Sequence, residues 1–125
     1  MAARNPVGWF EIYVQDLPRA KAFYEGVFER KLEKLNAGDE GEMWAFPMQQ
    51  EAQGAAGALV RMPGVPSGGM GTLVYFMCED CAVEAKRLVE RGGKLHKEKF
   101  SIGEYGFIAL GFDTEGNMIG LHSIK

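Results

Sequence analysis

The sequence predicts an α+β protein built from two βαβββ modules, because nearly the same pattern occurs twice along the chain. Each copy has an apolar strand that ends in an aspartate, then a helix-like stretch, then a Lys-Leu-x-Lys strand. The aspartate precedes the lysine by 15 positions in the first copy (Asp16 to Lys31) and by 14 in the second (Asp80 to Lys94). A repeat that occurs only twice argues against a solenoid, which needs three or more units. The two copies are therefore expected to form one domain with a cleft between them.

The first copy supplies one helix and four strands. Alternating apolar residues predict a strand over residues 8–15, with Trp9, Glu11 and Tyr13 on one face. Asp16 is expected to cap the helix, and Pro18 suits its first turn. The apolar residues of this helix share one stripe at helical spacing, and they are Leu17, Ala20, Phe23, Tyr24, Val27 and Phe28. Further strands are predicted around residues 31–35, 42–48 and 57–62, with a turn at 38–41.

The second copy follows a segment with two prolines and four glycines, residues 63–71, which is predicted to link the modules. Asp80 is expected to cap the second helix, and Gly92-Gly93 to end it. The strands of this copy are predicted over residues 72–78, 94–99, 105–112 and 117–124, with a turn at 113–116. The modules thus cover about residues 1–62 and 72–125 of a single domain, 1–125.

Composition limits the classes of function. A chain of 125 residues is large enough for one domain with a real core. Its net charge of -3 leaves no basic stripe, so nucleic-acid binding is not expected. The first five residues show no signal peptide, and no stretch approaches the roughly 20 apolar residues of a membrane span. We therefore expect a cytoplasmic protein that does not insert into membranes.

The two cysteines, Cys78 and Cys81, form a C-x-x-C at a strand-to-helix junction, where a redox pair could sit. In the repeat, however, they lie opposite Val14 and Leu17, which are plain apolar positions. Small buried thiols that replace apolar residues are the better interpretation. Two cysteines alone do not supply the four ligands of a zinc site.

Three strings carry a resemblance to a known family: Val-Gln-Asp-Leu (14–17), Ala-Phe-Tyr-Glu (22–25) and Asp-Thr-Glu-Gly-Asn (113–117), the last followed by Ile119. They are similar to the first strand-helix signature and the last hairpin of the glyoxalase / bleomycin-resistance / extradiol-dioxygenase (vicinal oxygen chelate) superfamily. The resemblance covers essentially the whole chain and is greatest to a subgroup of small uncharacterised members. It implies a glyoxalase-like fold, in which the two modules form a cup-shaped sheet, and it implies a homodimer.

The resemblance also implies a divalent metal, held by His, Glu or Gln from four central strands and acting as a Lewis acid. The first ligand position is occupied here by Trp9, its counterpart in the second half by Leu73, and the last by Gly120. The remaining position aligns with Arg61. None of these side chains can hold a divalent metal, so no cofactor is predicted at the family's usual site.

Glu11 and His122 each lie two positions beyond a lost ligand, so the strand period leaves both facing the cleft. This pair could hold a displaced metal only weakly, and that alternative is disfavoured. Without a metal, Glu11 could act as a general base, Tyr75 as a hydrogen-bond donor and His122 as an acid. Arg61 could bind a carboxylate or phosphate, or it could simply pair with Glu11 across the cleft. His122 could also be a solvated residue at a strand end.

These residues lead to three hypotheses of different classes. The first is a protein that binds a small, partly apolar molecule, because the inward face is mostly apolar. That face is expected to comprise Trp9, Tyr13, Leu59, Leu73, Tyr75 and Met118. The second is a lyase or isomerase, similar to lactoylglutathione lyase, that uses a displaced metal or a metal-free acid-base pair. The third is a structural module with a vestigial cleft.

Overall fold

The computed structural model describes residues 5–38, 40–68 and 71–125, and its secondary structure follows the predicted βαβββ order twice. The α+β class is therefore confirmed. The elements are β1 (Val7–Tyr13), α1 (Leu17–Phe28), β2 (Glu33–Leu35), β3 (Glu42–Ala45), β4 (Ala56–Arg61), β5 (Thr72–Met77), α2 (Cys81–Glu90), β6 (Lys94–Ser101), β7 (Phe107–Phe112) and β8 (Met118–Ser123). A short 3-10 turn, Gly103–Tyr105, was not predicted. Asp39 of the predicted turn, and Gly69 and Met70 of the predicted linker, lie outside the described residues.

The chain divides into two compact units, each with its own helix. The N-terminal unit is Trp9–Leu73, and the C-terminal unit is Val74–Lys125 together with the described residues up to Gly8. This division lies close to the predicted module boundary. The organisation of residues 1–125 as a single domain stays a prediction.

In the N-terminal unit, the strands follow the order β2-β3-β4-β1. β1 and β4 run parallel, whereas β3 runs antiparallel to both β4 and β2. The Asp16 carboxylate accepts a hydrogen bond from the Arg19 N–H at 3.1 Å, which confirms it as the N-cap of α1. Leu17, Leu32 and Leu59 form the buried core between α1 and its sheet face.

The prediction that the apolar residues of α1 share one stripe is wrong for three of them. Phe23, Val27 and Phe28 are exposed by 59%, 54% and 57%. A helix turns about 100° per residue, so Phe23 lies well away from the line through Leu17 and Tyr24 that meets the sheet. Phe28 is the last helical residue, where it stacks on Tyr24 and remains exposed. The outer side of α1 is therefore apolar.

In the C-terminal unit, the strands follow the order β5-β8-β7-β6, with β5 and β8 parallel and the other pairs antiparallel. Asp80 caps α2 as predicted, because its carboxylate accepts the Ala82 N–H at 3.0 Å. It also accepts a hydrogen bond from Lys99 Nζ at 2.8 Å. The predicted turn at 113–116 is confirmed as well, since Asp113 Oδ1 accepts the Asn117 N–H at 2.9 Å. Among the described residues, none of the helices is long and apolar enough to cross a membrane.

Ser123 ties the last strand to the start of α2. Its hydroxyl is fully buried, accepts the Cys81 N–H at 3.0 Å and donates to the Lys125 carbonyl at 2.9 Å. Because the first N–H groups of a helix lack helical partners, we expect Ser123→Ala to lower the free energy of unfolding by about 1–2 kcal/mol in urea titrations. The control is Ser101→Ala, since the Ser101 side chain is exposed and its hydroxyl accepts the Gly103 N–H within a loop. Equal losses in the two variants would contradict this role for Ser123.

Candidate functional site

β1 has one face that packs against α1 and one face opposite the helix. Ile12 packs into the core beneath α1. Trp9, Glu11 and Tyr13 alternate with it, so they share the face opposite α1, as the sequence predicted. The structure thus brings together three of the predicted site residues within the N-terminal unit.

Glu11 is the centre of this group, and its side chain is buried, with 8% exposure. The Trp9 indole Nε1–H donates to Glu11 Oε2 at 3.2 Å, and the Tyr13 hydroxyl donates to Oε1 at 2.6 Å. Both oxygens of this side chain therefore accept a hydrogen bond from a neighbouring side chain. A carboxylate is tolerated in a buried position only when it is hydrogen-bonded, and here the neighbouring residues of its own strand provide the donors.

The strands beside Glu11 contribute apolar side chains, and those nearest to it in the strand register are small. In the strand register, Glu11 lies opposite Ala58, and Ala58 lies opposite Ala45. Both alanines are buried, with 0% and 8% exposure. Larger apolar side chains pack around them, including Val60 and Met43. Sequence reasoning missed this row of alanines, because no feature of the sequence marks an alanine as a neighbour of a carboxylate.

Leu59 and Arg61 lie on the other face of β4. Since Glu11 is in register with Ala58, strand alternation places Leu59 and Arg61 on the side of α1. Leu59 is fully buried in the core beneath that helix, so its predicted place on the ligand-facing side is wrong. Arg61 is exposed and in register with Glu42. This geometry does not favour Arg61 as the partner of Glu11 or as a ligand contact beside it.

In the C-terminal unit, Tyr75 and His122 lie on the face opposite α2. Phe76 packs against the core beneath α2, and Tyr75 alternates with it. Tyr75 is in register with Gly120, and His122 and the half-buried Met118 are two positions away from Gly120 along β8. The remaining predicted contact, Leu73, is buried and belongs to the N-terminal unit.

The Tyr75 ring lies directly on Gly120. A Cβ atom built on Gly120 would overlap Cδ1 and Cε1 of this ring. Residue 120 is the position at which the sequence resemblance places an acidic metal ligand, and the ring fills the space where that side chain would begin. Glycine there is thus a steric requirement of the tyrosine.

The divalent metal that the fold family implies does not fit the residues present. The Trp9 indole nitrogen is a donor only and is hydrogen-bonded to Glu11, and Leu73 offers no ligand atom. The Tyr75 ring closes the position above Gly120. Within the described ranges, His, Cys, Asp and Glu side chains form no group of three or more that could hold a metal ion.

The His122 side chain forms a hydrogen bond with the turn between β6 and β7. Its Nε2 lies 2.6 Å from the carbonyl oxygen of Tyr105. Because a carbonyl can only accept, Nε2 must carry the hydrogen, and Nδ1 is left as the nitrogen for any ligand. The partner is contributed by the 3-10 turn Gly103–Tyr105, which the sequence did not reveal.

The cysteines are both free thiols, and Cys81 is fully buried in the core beneath α2. Burial, together with the neighbouring Glu84 carboxylate, raises the pKa of Cys78 to about 12. A thiol that stays protonated is a poor nucleophile, so the chemistry of the site disfavours a redox pair.

We therefore expect iodoacetamide to alkylate Cys78 far more slowly in the folded protein than in urea at pH 8.5, in a Cys81→Ala background followed by mass spectrometry. The folded pKa lies above the unfolded value of about 8.5, so the contribution of this thiol to stability is complete below that pH and declines toward pH 12. Equal alkylation rates in the folded and unfolded protein would overturn this prediction.

Comparisons with known proteins place these features in context. The family model described as Glyoxalase/Bleomycin resistance protein/Dioxygenase superfamily matches residues 7–121. No curated protein matches the chain in sequence. Among solved structures, methylmalonyl-CoA epimerase from Mycobacterium tuberculosis is similar, with a TM-score of 0.71 and 18% identity over 100% of this chain and 93% of that one.

Two further solved structures are similar at comparable levels. A variant of Streptomyces coelicolor methylmalonyl-CoA epimerase, in complex with 2-nitronate-propionyl-CoA, has a TM-score of 0.68 and 13% identity over 97% of this chain and 98% of that one. A hypothetical protein from Bacillus halodurans C-125 has a TM-score of 0.70 and 12% identity over 95% and 94%. At these identities the similarity shows the fold alone.

Proposed function

Because the chain belongs to the Glyoxalase/Bleomycin resistance protein/Dioxygenase superfamily, we propose that it binds a small, partly apolar molecule without a metal at the family's usual position. The binding surface is the face opposite α1 in the N-terminal unit. The observation that carries this proposal is the buried Glu11 carboxylate, oriented by Trp9 and Tyr13 within apolar surroundings. A few placed polar groups within a mostly apolar lining are the usual pattern of a small-molecule site.

Each residue has a proposed role in binding. Glu11 is the polar contact that orients the ligand, and the rings of Trp9 and Tyr13 flank it. Leu73, which belongs to the same unit, is proposed as an additional apolar contact. The proposal omits Arg61 because it is exposed on the other face of β4.

The experiment is a thermal-shift screen of small apolar compounds that carry one polar group. At least one compound at about 100 times its Kd should stabilise the wild type by about 2.7 kcal/mol, a shift of several degrees in Tm. The shift should disappear in Glu11→Gln and persist in Glu33→Gln, which removes an exposed charge from β2. If every stabilising compound acts equally on wild type and Glu11→Gln, the proposed site is wrong.

An enzyme is the second candidate, and the similarity in fold to two methylmalonyl-CoA epimerases favours considering it. In a lyase or isomerase without metal, Glu11 would be the general base. Binding remains the preferred proposal, because the hydrogen bonds from Trp9 and Tyr13 fix the orientation of the Glu11 carboxylate, as a polar ligand contact requires. Exchange of an acidic C–H of a bound compound in D₂O, lost in Glu11→Gln, would establish the enzyme instead.

We also propose a cytoplasmic homodimer. The exposed side chains of Phe23, Val27 and Phe28 give the outer side of α1 an apolar patch of the kind that marks association surfaces. Light scattering at micromolar concentration should give twice the monomer mass, and Phe23→Glu should reduce it to that of the monomer. A wild-type protein of monomer mass would contradict the dimer.

A further inference from the structure

Two lysines of the edge strand β6 lie on the face of the C-terminal unit that is opposite α2. Ala109 is buried in the core beneath α2, so its neighbours on β7, Leu110 and Phe112, lie on the opposite face. Lys94 is in register with Phe112, and Lys97 is in register with Leu110. Residues that are paired across an antiparallel ladder share a face, so both lysines lie on the side opposite α2.

A bulge in β6 is what brings the second lysine to this face. Between the pairs Leu95–Gly111 and Lys97–Leu110, β6 contains one residue more than β7 does. Strict alternation from Lys94 would turn Lys97 toward α2, whereas the extra residue returns it to the face of Lys94. Bulges at sheet edges commonly re-aim a side chain in this way.

A second register shift, between Lys97 and Phe100, separates the third lysine from the other two. Phe100 is in register with Ile108 and so shares the face of Lys97, whose Nζ lies 4.0 Å from the centroid of the Phe100 ring. Lys99 instead forms an ion pair with Asp80 at the start of α2, with 2.8 Å between Nζ and Oδ1. The two shifts thus assign one lysine to the helix cap and two to the opposite face.

No carboxylate neutralises the two lysines of this face. The positions of β6, β7 and β8 that point to it include neither Asp nor Glu. Within the described part of the chain, Lys94 and Lys97 form no ion pair, and the adjacent Glu98 is no exception. The Phe100 ring attracts the ammonium of Lys97 but leaves its charge in place. Both lysines are exposed, so a ligand in solution can reach them.

The surface beside the lysines is apolar. Leu110 and Phe112 are half-buried, and Met118 continues the same row because it is in register with Phe112. His96, the extra residue of the first bulge, places its ring edge-on to Phe112, with 5.7 Å between the ring centroids. An alkyl or aryl group can pack on such a surface, and its contact area would add to the attraction of the charges.

From these observations we infer that the C-terminal unit has a binding surface for an organic anion, formed by Lys94, His96, Lys97, Leu110 and Phe112 and called here the lysine face. The carboxylate or phosphate group of the ligand accepts hydrogen bonds from the two ammonium groups, and its apolar body lies on Leu110 and Phe112. This site is separate from the one proposed around Glu11 and does not rest on it.

Three compounds with the same phenyl group test this inference: 3-phenylpropionate, 2-phenylethyl phosphate and the neutral 3-phenyl-1-propanol. Each is titrated at pH 7 and low ionic strength, where screening is weak, and binding is followed by the ¹⁵N–¹H NMR spectrum of the protein. We expect the anions to bind about 10-fold more tightly than the alcohol, since two exposed ion pairs together account for about that factor. The amide signals of residues 94–97 and 110–112 should shift. The two anions compare a carboxylate with a phosphate, and the tighter one identifies the preferred group.

The double variant Lys94→Gln, Lys97→Gln should bind the anions no more tightly than the alcohol. Lys86→Gln is the matched control, because it removes the same charge from an exposed position on α2 and should keep the preference. Circular dichroism checks that the variants are folded. The comparison among the three compounds uses the wild type, so it does not depend on the folding of any variant.

Four results would overturn the inference. They are equal binding of the alcohol and the anions, signal shifts confined to other residues, an anion preference that survives in the double variant, and no binding of any compound. If the double variant keeps the preference but forms oligomers in light scattering, the lysines serve only to protect the sheet edge from pairing. None of these results bears on the site around Glu11, which the thermal-shift screen tests by itself.

Discussion

Gly120→Ala is expected to destabilise the protein by about 3 kcal/mol, the upper end of what an added methylene costs in a packed core. The new Cβ would overlap two atoms of the Tyr75 ring, and that ring is buried, with 6% exposure. Urea denaturation followed by circular dichroism measures the loss. Gly26→Ala is the control, because a Cβ there meets nothing within 4 Å and alanine favours a helix by about 1 kcal/mol.

The same contact predicts non-additivity. In a Tyr75→Ala background, Gly120→Ala should cost little, since the ring that it would strike has been removed. The coupling between the two substitutions should therefore approach the cost of Gly120→Ala itself. Simple additivity, or a Gly120→Ala protein as stable as the wild type, would show that the ring does not lie on residue 120.

Glu11→Leu is expected to lower the free energy of unfolding by about 3 kcal/mol. The substitution removes the acceptor of both the Trp9 indole and the Tyr13 hydroxyl and leaves two donors in apolar surroundings, each at a cost of about 1–3 kcal/mol. Glu33→Leu, at an exposed position on β2, should stay within about 0.5 kcal/mol of the wild type.

Replacing all three members of the cluster should recover most of this loss. The triple variant Trp9→Phe, Glu11→Leu, Tyr13→Phe removes acceptor and donors together, and an apolar replacement of similar shape is often neutral or stabilising. Recovery would indicate that the polar cluster is kept for binding rather than for stability. A triple variant less stable than Glu11→Leu would instead make the cluster a structural element.

Much of the framework was predictable because its signals are local. Asp16 and Asp80 each precede a helix and cap it through their own carboxylates, which depends only on residues two or three positions away. The face of β1 was predictable for the same reason. Apolar and polar residues alternate there, so the strand period places Glu11 beside Trp9 and Tyr13.

The rest of the site depends on contacts between distant segments. β4 is apolar at almost every position, so nothing in its sequence distinguishes Leu59 from Ala58 as the residue beside Glu11; only the parallel register does so. The contact of Tyr75 with Gly120 likewise requires the pairing of β5 with β8, 45 positions apart. For α1, the predicted apolar stripe included too many residues, because apolar residues also occupy the outer side of this helix.

Metal content is the measurement that tests the central claim most directly, namely that the family framework persists here without its metal site. Protein purified without chelators, and then dialysed with manganese, nickel, zinc and iron in turn, is analysed by mass spectrometry of its elements. We expect less than about one tenth of an equivalent of any metal per chain, because Trp9, Leu73 and Gly120 supply no ligands. One equivalent of a divalent metal, lost in Glu11→Gln, would contradict the account.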